Sequence, residues 1–217
     1  RLVACSDVFM TNMRRQAVEK LGISYPALSE INPRLIYATV SAFGSEGPDR
    51  DRGGFDYQGQ ARSGLMYSMG EEGTPPVVCQ FGIIDQATAI TVSHNIIAAL
   101  YMREKTGKGQ EIRISILGAS MFLLYFNILM THMMGIEVPR HKRAGEHPMR
   151  NYYKCADGRW LMMTLTPPGR HWGPLCRALG RPELEKDPRF DTEKKRFENR
   201  EVLVGILDAI FAERPLD

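Results

Sequence analysis

Cysteine is scarce and unorganised in this chain: Cys5, Cys79, Cys155 and Cys176 lie far apart and form no C-x-x-C pair. That spacing excludes a zinc ribbon and supplies no disulfide framework, and it predicts small buried thiols in a reduced, cytoplasmic protein with no metal site. Charge of one sign is also missing. The net charge is +3 over 217 residues with no long basic stripe, so nucleic-acid binding has no support. Short basic clusters at Arg14-Arg15 and from Arg140 to Arg143 remain, either to hold phosphate or to face solvent. Long apolar runs are absent as well. The longest, Ile116 to Met130, is interrupted by Ser120 and Asn127 and falls short of the roughly 18 to 20 residues of a membrane span, so it reads as a core helix.

What is present is the composition of a globular protein, 43% hydrophobic and 24% charged. Asp7 to Met13 reads as a short buried strand, and a helix follows from Arg14 to Leu21 until Gly22 stops it. Tyr25 to Ile31 is a second short helix ended by Pro33. Leu35 to Ser41 is apolar on both faces, as a parallel strand covered by helices should be. Strand, helix and strand in that order predict a parallel α/β sheet with right-handed crossovers. The Gly- and Pro-rich loop Gly44 to Gly54 then falls beyond the carboxyl end of a strand, where open sheets bind ligands, although such a loop is as often plain surface.

Phe55 to Met69 suits a helix weakened by Gly59 and Gly64, positions where another element can approach closely. An almost wholly apolar helix runs from about Ile83-Ile84-Asp85 to Glu104 and is stopped by Thr106 to Gly109. Asp85 therefore sits at the mouth of a helix expected to be buried. The positive helix end favours an ionised, oriented carboxylate there, which fits either a helix cap or a preorganised nucleophile. Gln110 to Leu117 alternates as a half-buried strand, and Gly118 to Met134 reads as a core helix with Met130, Met133 and Met134 packed inside. The resulting division is a large domain over 1–135, a linker over 136–150 and a small α+β domain over 151–217. The small domain opens with a hairpin turning at Asp157-Gly158, followed by helices at about His171 to Leu179 and Glu198 to Ala212.

The segments TNMRRQAVEKLGI, NPRLIYATVSAFGSEGP, GFDYQGQARSGLM, IIDQATAI with NIIAALYMREKTGKGQEIRIS, and YYKCADGRWLMM resemble family III CoA-transferases. This is the CaiB/BaiF group, which takes in formyl-CoA transferase, carnitine CoA-transferase and α-methylacyl-CoA racemases. The resemblance runs through nearly the whole chain in order, including RHWGPLCRALGRPEL and DPRF. It implies a Rossmann-like parallel sheet in the large domain, only part of which is present, beside the smaller α+β domain. Amino-terminal elements of that large domain and the return from the small one are expected to lie outside this sequence, so the segment alone is not expected to turn over.

The resemblance also implies a mechanism. An aspartate at the position of Asp85 attacks an acyl-CoA thioester to give an aspartyl anhydride; CoA then forms an aspartyl-CoA thioester, and a carboxylic acid acceptor completes the exchange. No tightly bound cofactor is implied, coenzyme A and acyl-CoA being substrates, and the full enzyme is an interlocked homodimer. Asn12 and Met13 match an Asn-aromatic position beside CoA, with Met in place of the ring. Lys20 and Leu21 match a basic-apolar pair at the nucleotide, and Phe55 a position near CoA; a solvated Lys20 is the alternative. Asp56 matches an acid close to the reacting centre, with helix capping as its other reading. The racemases carry His where this chain has Phe55, and none of the five histidines falls there, which disfavours racemisation. A non-catalytic α/β interaction module is the remaining alternative.

Overall fold

The computed structural model describes residues 1–136 and 140–217; positions 137–139, within the expected linker, lie outside the described residues. The chain divides into one unit from Arg1 to Arg140 and a second from His141 to Asp217. The first unit runs β1 (Val8–Thr11), α1 (Arg15–Lys20), α2 (Tyr25–Ile31), β2 (Ile36–Ser41), α3 (Asp56–Arg62), α4 (Leu65–Ser68), α5 (Ile83–Thr106), β3 (Gln110–Ser115), α6 (Ile116–Leu123) and α7 (Tyr125–Met134). Its three strands are all parallel in the order β1-β2-β3, with Phe9 opposite Tyr37 and Ala38 opposite Ile112. The mixed α/β class expected for this segment is therefore the one observed.

Both faces of β2 are covered, which explains its unbroken apolar run. Ile36 and Ala38 pack with Ile112, Val92 and Ala99 against α5. Leu35 and Tyr37 pack with Leu28 of α2 on the other face, where Tyr37 stacks on Phe9 at 5.2 Å. Fully burying an aliphatic side chain of this size stabilises by about 1.5–3 kcal/mol.

The helix expected from Phe55 to Met69 is two helices broken at Gly64, whose φ of 86° needs glycine. Gly59 does meet a close neighbour: a Cβ there would lie 2.5 Å from Ile116 Cγ2. Two expectations fail. The long helix α5 buries only a narrow stripe, Ile84, Thr88, Val92 and Ala99, and leaves Ile90, Ile97 and Tyr101 exposed. The single core helix expected from Gly118 to Met134 is α6 and α7, bent by 73° at Leu124, and α7 buries nothing within this unit: Met130, Met133 and Met134 are exposed. Among the described residues α5 is long and apolar enough to cross a membrane, as α6 and α7 would be if the bent pair were one span, although Asp85, Gln86, His94 and Asn95 interrupt the apolar surface of α5.

The amino ends of the strands are stapled by charge. Arg103, near the end of α5, pairs with Asp7 at 2.9 Å and donates to the Arg34 carbonyl at 3.2 Å, while Arg34 reaches Glu104 at 3.2 Å. Beside them the Gly109 N–H donates to the Pro33 carbonyl at 2.8 Å.

In the second unit β4 (Arg150–Lys154) pairs antiparallel with β5 (Trp160–Thr164) across a turn in which Gly158 has φ 81°, as the Asp-Gly signal predicts. Helices α8 (Pro168–Ala178), α9 (Glu193–Glu198) and α10 (Arg200–Ala212) close a core that includes Met149, Tyr153, Trp172, Phe190 and Leu207. Residues 141–150, expected in the linker, belong to this unit. Met149 is fully buried, and Arg143 pairs with Asp208 while donating to the Tyr152 carbonyl at 2.7 Å. The four thiols are free, with Cys155 and Cys176 buried as expected but Cys5 exposed.

At Gly109 an added Cβ would run into the Leu35 carbonyl, a backbone group with nowhere to move. Gly109→Ala is expected to cost about 3 kcal/mol or more by overpacking, measured by urea denaturation of the intact protein.

Candidate active site

In a parallel sheet all strands end on one side, and helices connecting them run back the other way. The carboxyl ends of β1 and β2 therefore share an edge with the start of α5. Asn12, Met13 and Arg14 follow β1, the loop from Gly44 to Gly54 follows β2, and Asp85 opens α5; together they line an open cleft of about 1160 Å³. Phe55, 76% exposed, lines the same cleft.

Asp85 does not cap its helix. The N-cap position is Gly82, in the left-handed conformation at φ 81°, and Asp85 stands two residues inside the helix. The free N–H groups of a helix start need acceptors, and here each has one. Ile83 N donates to the Gln80 carbonyl at 3.3 Å, and Gln86 N makes the first helical bond to Gly82 at 2.9 Å. Between them Ile84 N and Asp85 N both donate to Asp56 Oδ2, at 2.7 and 3.2 Å. The cap of α5 is thus the side chain of Asp56, contributed by α3. Asp56 does not cap its own helix, where Phe55 N donates to Gln58 Oε1 at 2.9 Å instead.

The consequence for Asp85 is freedom. Its carboxylate accepts no hydrogen bond among the described residues and is exposed toward the cleft. Partial burial, and after it the negative charge of Asp56, hold its pKa above the usual aspartate range, against the pull of the helix end. Asp56 is 0% exposed and contributes nothing to the cleft lining.

The expected nucleotide positions divide in two. Asn12 and Met13 reach the cleft, whereas Lys20 and Leu21, at the far end of α1, are exposed and do not line it. Arg14, of the basic pair Arg14-Arg15, also lines the cleft. Its guanidinium takes no hydrogen bond or ion pair among the described residues and lies against Gly53, where a Cβ would come within 2.5 Å of Nη2. The neighbouring cations are committed: Arg15 and Arg50 to Asp51, at 2.9 and 3.4 Å, and Arg52 and Arg62 to Asp49. The Arg15 hydrogen bond is the largest cause holding Asp51 below the usual carboxylate range. Among the described residues no group of three or more His, Cys, Asp or Glu side chains is placed to hold a metal ion.

The family model described as CoA-transferase family III matches residues 1–217. The (R)-2-hydroxy-4-methylpentanoate CoA-transferase of Clostridioides difficile is 31% identical over 100% of this chain and 54% of its own length. The formyl-CoA:oxalate CoA-transferase of Streptomyces coelicolor is 32% identical over 90% of this chain and 51% of its own. Among solved structures, a CAIB/BAIF family protein from Brucella suis superposes with a TM-score of 0.87 at 31% identity, covering 99% of this chain and 56% of that one. The chain thus spans about half the length of the relatives it matches. On a match running from its first residue to its last, the chain belongs to CoA-transferase family III.

Proposed function

We propose that this chain carries the nucleophile of an enzyme that moves CoA between an acyl-CoA thioester and a carboxylic acid, and that Asp85 is that nucleophile. The observation that carries the reading is the uncommitted carboxylate of Asp85, facing a cleft at the start of a helix that another acid caps. A carboxylate whose pKa is raised is a stronger base than an ordinary aspartate and, once ionised, a better nucleophile.

An Asp85 oxygen forms a bond to the thioester carbonyl carbon, the C–S bond breaks, and the CoA thiolate leaves with the electron pair. The thiolate then attacks the Asp85 carbonyl of the mixed anhydride and releases the first acid. The acceptor carboxylate attacks the resulting aspartyl thioester, and the thiolate, expelled again, takes the acyl group from the second anhydride to restore Asp85. Asn12, Met13, Arg14 and Phe55 form the CoA side of the cleft in this reading, Arg14 as the cation for a phosphate. Lys20 and Leu21 stand outside it.

The homodimer and the cytoplasmic setting belong to the same proposal. The exposed apolar residues of α5 and α7, Ile97, Tyr101 and Phe126 among them, supply surface for a partner, and the free thiols suit a reducing compartment. Nothing in the cleft favours racemisation. Among the described residues no histidine lines it, and His94 stands nine residues along α5 from Asp85, about 13 Å by helix rise.

Incubating the intact protein with acyl-CoA donors and trapping with hydroxylamine should mark the peptide containing Asp85 by mass spectrometry; donors that bind without marking it would overturn the assignment. Asp85→Asn should abolish transfer. Because Asp85 caps nothing and is repelled by Asp56, that variant should keep its stability within about 0.5 kcal/mol at pH 7 or gain some. The sign follows from the raised pKa: ionising Asp85 costs the folded state more than the unfolded one, and the cost enters as pH rises through the folded pKa. Arg14→Ala should raise KM for acyl-CoA about tenfold with kcat unchanged, and should leave an acyl-pantetheine donor, which lacks the nucleotide, unaffected.

A further inference from the structure

Asp56 and Gln60 are both fully buried and point at one another across a single turn of α3. Gln60 Nε2 donates to Asp56 Oδ1 at 2.5 Å, while Gln60 Oε1 accepts from Cys79 N at 3.0 Å. Asp56 Oδ2 takes the two N–H groups at the start of α5. Both carboxylate oxygens thus face donors, and the orientation of the Gln60 amide is fixed by the Cys79 bond.

An amide at position 56 cannot satisfy this arrangement. An Asn with its oxygen on α5 would turn its NH₂ toward the NH₂ of Gln60. Flipping Gln60 would only move the conflict to the Cys79 N–H. The position requires a group that accepts on both sides, which is a carboxylate.

We propose that Asp56 is a positioning residue: by capping α5 from another helix, it aims Asp85 and leaves the Asp85 carboxylate uncommitted toward the cleft. The proposal rests on Asp85 being the nucleophile. It replaces the catalytic role that resemblance implies for Asp56, because a side chain with no exposed surface and both oxygens occupied does not meet substrate.

Asp56 also acts on Asp85 through its charge. The elements packed on α5 are α6, β3, β2 and α3. α6 has no titratable side chain, and β2 brings only Tyr37. β3 brings Glu111 and Arg113, which pair with each other at 2.8 Å. α3 brings Asp56, Tyr57 and Arg62, the last held by Asp49. On α5 itself the charged side chains, Arg103, Glu104 and Lys105, and His94 lie farther along the helix. Removing the Asp56 charge should therefore lower the pKa of Asp85.

The test uses the intact protein, following hydroxylamine-trapped adduct at Asp85 against pH in the parent and in Asp56→Asn. The expected result is adduct formation slowed on the order of 100-fold at pH 7, with the acid limb of the profile displaced to lower pH. The slowing reports the lost cap and aim, and the displaced limb reports the lost Asp56 charge. Adduct on the parent, together with an unchanged rate and limb in Asp56→Asn, overturns the positioning role and leaves the nucleophile standing; no adduct on the parent overturns both. Should Asp56→Asn not fold, Gln60→Leu keeps the Asp56 charge and its bonds to α5 but frees its second oxygen. That variant should slow adduct formation about tenfold with KM for acyl-CoA unchanged, and an unaltered rate overturns the proposal.

Discussion

Two N–H groups at the start of α5 share one carboxylate oxygen of Asp56, and the cleft end of the first unit is arranged around that contact. A buried carboxylate is costly unless its acceptor sites are filled. Here three N–H donors and the positive end of a 24-residue helix offset the cost. The same bonds tie α3 to α5, and through Gln60 they hold the segment at Cys79 that leads into the helix. Capping of α5 falls to Asp56, which leaves Asp85, the acid at the helix mouth, uncommitted.

The charged loop beside the site shows the same economy of commitment. Exposed ion pairs contribute little to stability, about 0–1 kcal/mol each. What Asp49 and Asp51 do is occupy Arg15, Arg50, Arg52 and Arg62, so that the loop keeps a shape while its net charge stays low. Arg14, pressed on a glycine and without an acidic partner among the described residues, stands apart as a cation able to meet an anionic ligand.

Local signals carried most of the fold. Tyr25–Ile31 and the Asp-Gly hairpin are observed where proline and turn chemistry put them, and the apolar run of β2 does lie between two covered faces. What failed was whatever depends on a distant partner. The cap of α5 comes from 29 residues upstream, and Arg143 is drawn into the second unit by Asp208, 65 residues away. The bend at Leu124 has no proline or glycine to announce it. Apolar composition in α5 and α7 suggests burial, yet composition states only that a surface avoids water, and these faces remain open within the unit. The position of Asp85 alone fits a cap or a nucleophile, and the observed cap, Asp56, removes the first of these readings.

The sheet separates two kinds of constraint. At the amino ends of the strands Arg103, Asp7, Arg34 and Gly109 interlock through charge and close backbone contact, while at the other end Asn12, the loop beyond β2 and Asp85 surround the cleft. Six residues of β2 place about 20 Å between them. The cleft loops can therefore be lengthened or recharged by evolution without disturbing the contacts that hold the strands in register. The anchored end, by contrast, is packed so closely at Gly109 that a single added methyl group would meet backbone.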